Sequence, residues 1–275
     1  MHDETRLDFA IDLARRAGAL ALESFRRLDT LTIESKGHHD LVSEADRDVE
    51  IFIREAIAEA WPGDGIVGEE HPPLPGTSGC VWIIDPIDGT ANFLRGIPAW
   101  CVVIVCVRDG MPFIAATFDP SAGEMFSARR GGGAFLNGRP IRAAGARSLT
   151  EGSVGVGFNN RTDHRNVVRL VSELFERGGI FYRNQSGALM LAYVAAGRLI
   201  GYCEEHMNAW DCLAGMLMIE EAGGCSAAPD PQTVVMEGTR VVVAAAGVFD
   251  EVDAIARTAF GEATPPGSGD RPGRS

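Results

Sequence analysis

Past residue 150 the chain changes rhythm, and that change constrains its fold more than any other feature. Before it, residues 7–28 and 44–61 carry apolar positions at helical spacing. The first run is interrupted only by Gly18; the second places Val49, Phe52, Ile53, Ala56, Ile57 and Ala60 on one face. A short strand signal closes on Gly68-Glu69-Glu70, and after a Pro/Gly-rich loop an apolar strand, Val81-Trp82-Ile83-Ile84, ends at Asp85. Strand signals then dominate at 100–107 and 113–119, with a hairpin expected over 124–141 around Gly131-Gly132-Gly133. After 150, short strands near 153–158, 180–183, 199–204 and 241–246 alternate with helices near 164–177, 187–196, 211–222 and 248–259. Helices with antiparallel strands, followed by α/β alternation, predict sheets layered between helices. The pattern divides the chain into an α+β half over 1–148, an α/β half over 149–262 and a flexible tail over 263–275 without core content.

At 275 residues the chain can bury a sizeable core. Its formal charge of −13 repels phosphate backbones and anionic lipid, which argues against direct nucleic-acid or membrane-surface binding. The longest uncharged apolar run, Trp100 to Val107, is too short to cross a bilayer, and the acidic start lacks a signal-peptide layout. Six cysteines form no CxxC pair, so a reduced, cytoplasmic protein is expected. Of the 25 basic residues a single one, Lys36, is lysine. If the ligand is a phosphate, metal ions are a natural source of the positive charge it needs.

The chemistry concentrates in Trp82-Ile83-Ile84-Asp85-Pro86-Ile87-Asp88-Gly89-Thr90-Ala91-Asn92-Phe93. A buried strand delivers Asp85 at its carboxyl end, Pro86 turns the chain, and Asp88 follows three residues later, so the two carboxylates can converge. Gly89-Thr90 then offers main-chain N–H groups at a helix start, which suits an anion. Two hard carboxylates beside such a cradle suit Mg²⁺ and a phosphate, because Mg²⁺ takes few carboxylates and keeps sites for substrate oxygens. Each Asp taken singly also reads as a turn or cap residue. A strand beside 81–84 would bring Glu69 next to Asp85. Asp211 opens the helix 212–222, where it reads as an N-cap able to ligate a metal, and Asp46 falls in the first turn of the second helix.

These residues together resemble the inositol monophosphatase family of Mg²⁺-dependent, lithium-sensitive phosphatases. The likeness covers about residues 5–260. The family's W-I-x-D-P-[IL]-D-G-T-x-N-F signature is matched at 82–93, and its W-D-x-x-A-G with E-A-G-G by Trp210 to Gly215 and Glu221 to Gly224. G-E-E stands at 68–70, and the K…D-x-V-[ST]-x-x-D region runs from Lys36 to Asp46. The resemblance implies a layered α-β-α-β-α sandwich of the type shared with fructose-1,6-bisphosphatase. It implies two or three Mg²⁺ ions held by Glu69, Asp85, Asp88, Asp211 and the Ile87 carbonyl, with Asp85 bridging. Thr90, hydrogen-bonded to Asp46, would work with Glu69 to deprotonate a metal-activated water that attacks phosphorus directly. The Gly89 and Thr90 amides would hold the phosphate, Asp88 and Asp211 would border it, and Lys36 would lie near the metals. A homodimer is expected by analogy with relatives.

Substrate choice is less legible. In the family an acidic residue before the second signature contacts sugar or inositol hydroxyls, and Glu204 stands at that place; Glu205 would point the opposite way along a strand. Where the family has G-S-A-A, this chain has Gln185-Ser186-Gly187-Ala188, so Gly187 removes a methyl from the substrate wall and Gln185 adds an amide. His206 and Asn208 would add an imidazole and an amide at the pocket mouth. The leading expectation is an inositol-1-phosphate phosphatase, with a histidinol-phosphate phosphatase as the alternative. An accessory protein of a transcription complex is the alternative of another class.

Overall fold

The computed structural model describes residues 2–28, 33–37 and 40–261, with side chains over 3–28 and 43–261; the tail 263–275 and the Lys36 side chain lie outside the described residues. The first helix, α1 (His2–Phe25), buries Ala10, Leu13, Ala14, Ala17 and Ala21, a narrow stripe of mostly small residues that lets it lie close to the sheet beneath. Gly18 belongs to that approach: a Cβ there would stand 2.5 Å from the Phe118 ring. A two-stranded antiparallel sheet of β1 (Ile33–Gly37) and β2 (Asp40–Ser43) leads into α2 (Glu44–Ala60), whose apolar face buries Val49, Ile53 and Ile57.

A seven-stranded sheet follows, built in chain order from β3 (Gly65–Gly68), β4 (Cys80–Asp88), β5 (Cys101–Arg108), β6 (Met111–Asp119), β7 (Glu124–Arg129), β8 (Gly133–Leu136) and β9 (Arg139–Pro140), with the one-turn helix α3 (Thr90–Phe93) between β4 and β5. Its neighbours are antiparallel except β3 and β4, which run parallel because the 69–79 loop carries the chain back to the same end of the sheet. The expectation of a wholly antiparallel first half is corrected at this one pair. β4 also runs beyond Asp85, to Asp88. A bulge opens where Asp85 faces Val103 and Asp88 faces Cys101, and Pro86, which has no N–H to give a ladder, sits inside it.

The second sheet takes the order β11-β10-β12-β14-β13. Its strands and helices, in chain order, are β10 (Ser153–Val156), α4 (His164–Glu176), β11 (Ile180–Tyr182), α5 (Gly187–Ala195), β12 (Gly201–Met207), α6 (Ala209–Glu221), β13 (Gly224–Ser226), α7 (Val234–Glu237), β14 (Thr239–Ala245) and α8 (Phe249–Phe260). β10 is parallel to both β11 and β12, and β14 is antiparallel to β12 and β13.

Three apolar cores fill the four interfaces between five layers, the middle core spanning two of them. Trp82, Ile84, Ile104 and Ile114 face α1 and α2, whereas Ile83, Val103, Val105 and Ala115 face the other way, onto α5, α6 and the near side of the second sheet. Its far side, with Val154, Val156 and Val242, packs on α4 and α8. The inner strands of both sheets are therefore covered on both faces, which is why β4, β5 and β14 read as near-continuous apolar runs, whereas β11 at the edge of the second sheet is exposed. The layered α-β-α-β-α sandwich is the observed fold. Among the described residues no helix is long and apolar enough to cross a membrane.

Candidate active site

The bulge in β4 puts Asp85 and Asp88 on one cavity, and α6 brings Asp211 from the second half to meet them: carboxylate oxygens of all three lie within 4.8 Å of one another. Each is fixed by main chain. The Ile87 N–H donates to Asp85 Oδ1 (2.9 Å), Ala188 N–H to Asp88 Oδ2 (2.9 Å), and Asn208 N–H to Asp211 Oδ2 (3.3 Å). The buried Ser186 hydroxyl makes a further, short bond to Asp88. The parallel pairing of Gly68 with Ile84 carries Glu69 to the level of Asp85, and Glu69 lines the cavity with the three aspartates.

Asp211 is not the helix cap the sequence led us to expect. α6 begins at Ala209, Asn208 is its N-cap, and Asp211 occupies the third helical position, where its carboxylate reaches back to the cap in a capping box. Asp46 holds the equivalent place in α2, accepting from the Ser43 N–H (2.9 Å) and hydroxyl (2.6 Å). Its other oxygen faces the Thr90 hydroxyl at 3.1 Å, which also lies 3.0 Å from the Ile87 carbonyl. Gly89 makes the turn between them at φ +94°, and a Cβ would stand 2.9 Å from the Ala99 carbonyl, so only glycine fits both the conformation and the space.

Burial pushes Asp85 well above the usual carboxylate range, and the nearby charges of Glu69, Asp88 and Asp211 push it further. Burial also raises Asp88, against the hydrogen bonds of Ser186 and Ala188, and raises Asp211 to about 7 with help from the Asp88 charge. A buried set of hard oxygen donors that cannot all ionise alone fits divalent cations of the Mg²⁺ type, whose charge would relieve the repulsion. Asp85, Asp88 and Asp211 form the cluster that could hold such an ion, and Glu69 and the Ile87 carbonyl border the same cavity.

Two joined spaces serve the site. A cavity of about 240 Å³ is lined by Glu69, Asp85, Ile87, Asp88, Gly89, Thr90 and Asp211. A larger one of about 820 Å³ shares Glu69, Asp88 and Asp211 and extends to Gly187 and Glu204. Glu204 is buried, accepting from the Tyr202 hydroxyl (2.5 Å) and the Asn159 amide (3.0 Å), and burial raises it to about 7. Glu205 points away, to Asn166.

Two substrate-wall expectations change. His206 does not face the pocket: a register shift in β12 between Glu204 and Met207 turns its ring onto the Glu237 carbonyl (2.8 Å), and Met207 lines the cavity instead. Gly187 leaves no open notch either, because the Met207 methyl stands 2.6 Å from where its Cβ would be. Gln185 does line the cavity, in the left-handed region at φ +68°. Sequence reading missed Asn159, Arg161, Arg183 and the partnership of Ser186 with Asp88. Arg161 bonds Asn208, and Asn159 bridges Glu204 and the His206 carbonyl. A usable signal was their position just past β10 and β11: ligand crevices of α/β sheets open beyond the carboxyl ends of parallel strands.

A sequence model of the inositol monophosphatase family matches residues 2–259. The chain belongs to the inositol monophosphatase family. Membership supports phosphatase activity, and the family is generally metal dependent, in keeping with the acidic cluster. Among its relatives is an inositol-1-monophosphatase of Rhizobium meliloti, 41% identical over 224 residues, which are 80% of this chain and 84% of that one. A protein of Xylella fastidiosa named Nus factor SuhB is 40% identical over 79% of this chain and 80% of its own. The crystal structure of the extragenic suppressor protein suhB from Bartonella henselae superposes with a TM-score of 0.87 at 29% identity, covering 92% of this chain and 98% of that one.

Proposed function

We propose that this member of the family is a Mg²⁺-dependent phosphomonoesterase of small polyol or sugar phosphates, with inositol 1-phosphate as the leading substrate. The observation that carries the proposal is the convergence of Asp85, Asp88 and Asp211 within 4.8 Å, beside the Thr90–Asp46 hydrogen bond. Two or three bound Mg²⁺ ions would supply positive charge for phosphate oxygens and acidify water. Thr90, held by Asp46, and Glu69 would take the proton from the attacking water, and no side chain need become phosphorylated. Gly89 and Thr90 border the smaller cavity and would seat the phosphate; Glu204, Gly187 and Gln185 border the larger one and would meet the alcohol. Lys36 would lie near the metals. Lithium would inhibit by displacing one Mg²⁺. We take the active form to be a cytoplasmic homodimer, with 1–148 contributing most metal ligands and 149–262 most of the substrate wall.

Histidinol phosphate loses one of its two supports now that the His206 ring lies against Glu237. A role in a transcription complex is supported by the name Nus factor SuhB among the relatives. The test is phosphate release from inositol 1-phosphate, histidinol phosphate, fructose 1,6-bisphosphate, adenosine 3′,5′-bisphosphate and NADP, with Mg²⁺ and with EDTA. A preference of a hundredfold or more for inositol 1-phosphate, silent in EDTA, is the expected result. Release from none of the esters would overturn the reading and favour the accessory role.

A further inference from the structure

We infer that Glu50, a residue of the buried side of α2, is the positioning residue that aims Glu69 at the metal site; the inference rests on the metal-dependent reading above. Glu50 is fully buried, at 0% exposure, and shares the buried side of the helix with Ala45, Asp46, Val49, Ile53 and Ile57. A carboxylate there is costly unless it is paired and hydrogen-bonded, and its bonds go to the segment that carries Glu69. Its Oε2 accepts from the Glu70 N–H (2.7 Å), and its Oε1 from the His71 N–H (3.1 Å) and from Arg54 Nε (2.7 Å). Arg54, one turn along, donates to the His71 carbonyl (3.0 Å) and the Pro72 carbonyl (3.1 Å). The grip closes on the other side of Glu69 through Gly68, where a Cβ would stand 2.4 Å from Glu50 Oε1. Four residues earlier on the same helix, Asp46 bonds the Thr90 hydroxyl. Asp46, Glu50 and Arg54 thus form one i, i+4, i+8 ridge, so α2 registers the Thr90 and Glu69 sides of the site against each other.

The test is Mg²⁺ titration of the EDTA-stripped protein, read as the rise in melting temperature and therefore independent of turnover. Groups that orient metal ligands contribute about 10- to 100-fold to metal affinity or activity. Glu50→Gln should move the Mg²⁺ midpoint up by about tenfold or more and lower kcat by a similar factor, with KM changed less than about threefold. In that variant one of the facing N–H donors meets an amide NH₂. Gly68→Ala leaves the Glu50 carboxylate chemistry intact and disturbs the approach sterically; it should shift the midpoint the same way. Ile57→Ala, a cavity mutation on the same helix, should lower the melting temperature without moving the midpoint. If Glu50→Gln and Gly68→Ala both behave like Ile57→Ala, the positioning role is wrong while the metal reading stands. If the wild-type protein shows no Mg²⁺-linked rise, the metal reading itself is wrong.

Discussion

The floor and the substrate wall of the cavity hold their carboxylates by different means. On the floor, Asp85, Asp88 and Asp211 each accept from a main-chain N–H, of Ile87, Ala188 and Asn208. On the wall, Glu204 is held by the side chains of Tyr202 and Asn159. Main-chain donors come with the local turn or helix start, so two of the three floor contacts lie within three residues in sequence. Side-chain donors depend on how the sheet is assembled: Tyr202 lies two residues along the same strand, but Asn159 is 45 residues from Glu204. The floor therefore rests mostly on short motifs, with Ala188 and Ser186 closing on Asp88 from the second half, and the wall rests on the assembled second sheet. The floor should be intolerant of single changes, the wall tunable.

The largest effect should come from Asp88→Asn. Turnover should fall by about 10³-fold or more, well past the ~10²-fold of a group one step removed from the metal. The metal-free protein should meanwhile melt higher, because one charge leaves a crowded buried cluster. Assays and thermal melts in EDTA check both halves, and wild-type-like activity would break the assignment of the floor.

Next is pH. Asp85, Asp88 and Asp211 have folded-state values raised above the ordinary ~3.9 of an unfolded aspartate. Their contribution to stability is therefore fully present below that value and is lost as pH rises through the folded value, about 7 for Asp211. Metal-free protein should lose melting temperature steadily between about pH 4 and 7, and Mg²⁺ should restore it most at the upper end, where no proton competes. Glu204, also raised to about 7, has the same sign but belongs to the wall. A fall that survives saturating Mg²⁺ and disappears in Glu204→Gln would separate wall from floor; a fall untouched by Mg²⁺ and unchanged in that variant would contradict the placement of the cations.

Glu204→Gln should also raise KM for a polyol phosphate, by about tenfold if it removes one charge-assisted hydrogen bond of ~1.5 kcal/mol. The Mg²⁺ midpoint should stay put. Steady-state kinetics beside the thermal titration would show whether floor and wall are separable, and a shifted midpoint would mean they are not.

The same distinction explains what could be read from the sequence. The apolar run into Asp85, the spacing to Asp88 and the Gly89 turn are local, so the site's floor and the strand that delivers it were legible. That a strand beside 81–84 would set Glu69 next to Asp85 was foreseen as a conditional, but the parallel sense of the β3–β4 pair was hidden in the path of the 69–79 loop. The wall failed where non-local register decided. Alternation alone placed Glu204 and Glu205 on opposite sides, yet the irregularity after Glu204 reversed the expectation for His206. Gly187 looked like added space until Met207, 20 residues away, was found in it.

The smallest predicted effects lie in that wall. Gly187→Ala puts a methyl 2.6 Å from the Met207 methyl, but the end of a flexible thioether can move, so the cost should stay within the ~1–3 kcal/mol of mild overpacking. Gln185→Gly works in the opposite sense. It relieves a left-handed conformation worth ~1–2 kcal/mol in a non-glycine residue and adds back ~0.5–1 kcal/mol of unfolded-chain entropy. The melting temperature should therefore hold or rise by about 2–4 °C, the shift expected for ~1 kcal/mol in a chain of this size. What should change is selectivity. Without the Gln185 amide at the junction of the two cavities, the ratio of kcat/KM between inositol 1-phosphate and bulkier esters should move by several-fold. An unchanged ratio, with the melting temperature up, would mean that Gln185 is strained for no gain in recognition and that the wall's specificity rests on Glu204 and Asn159.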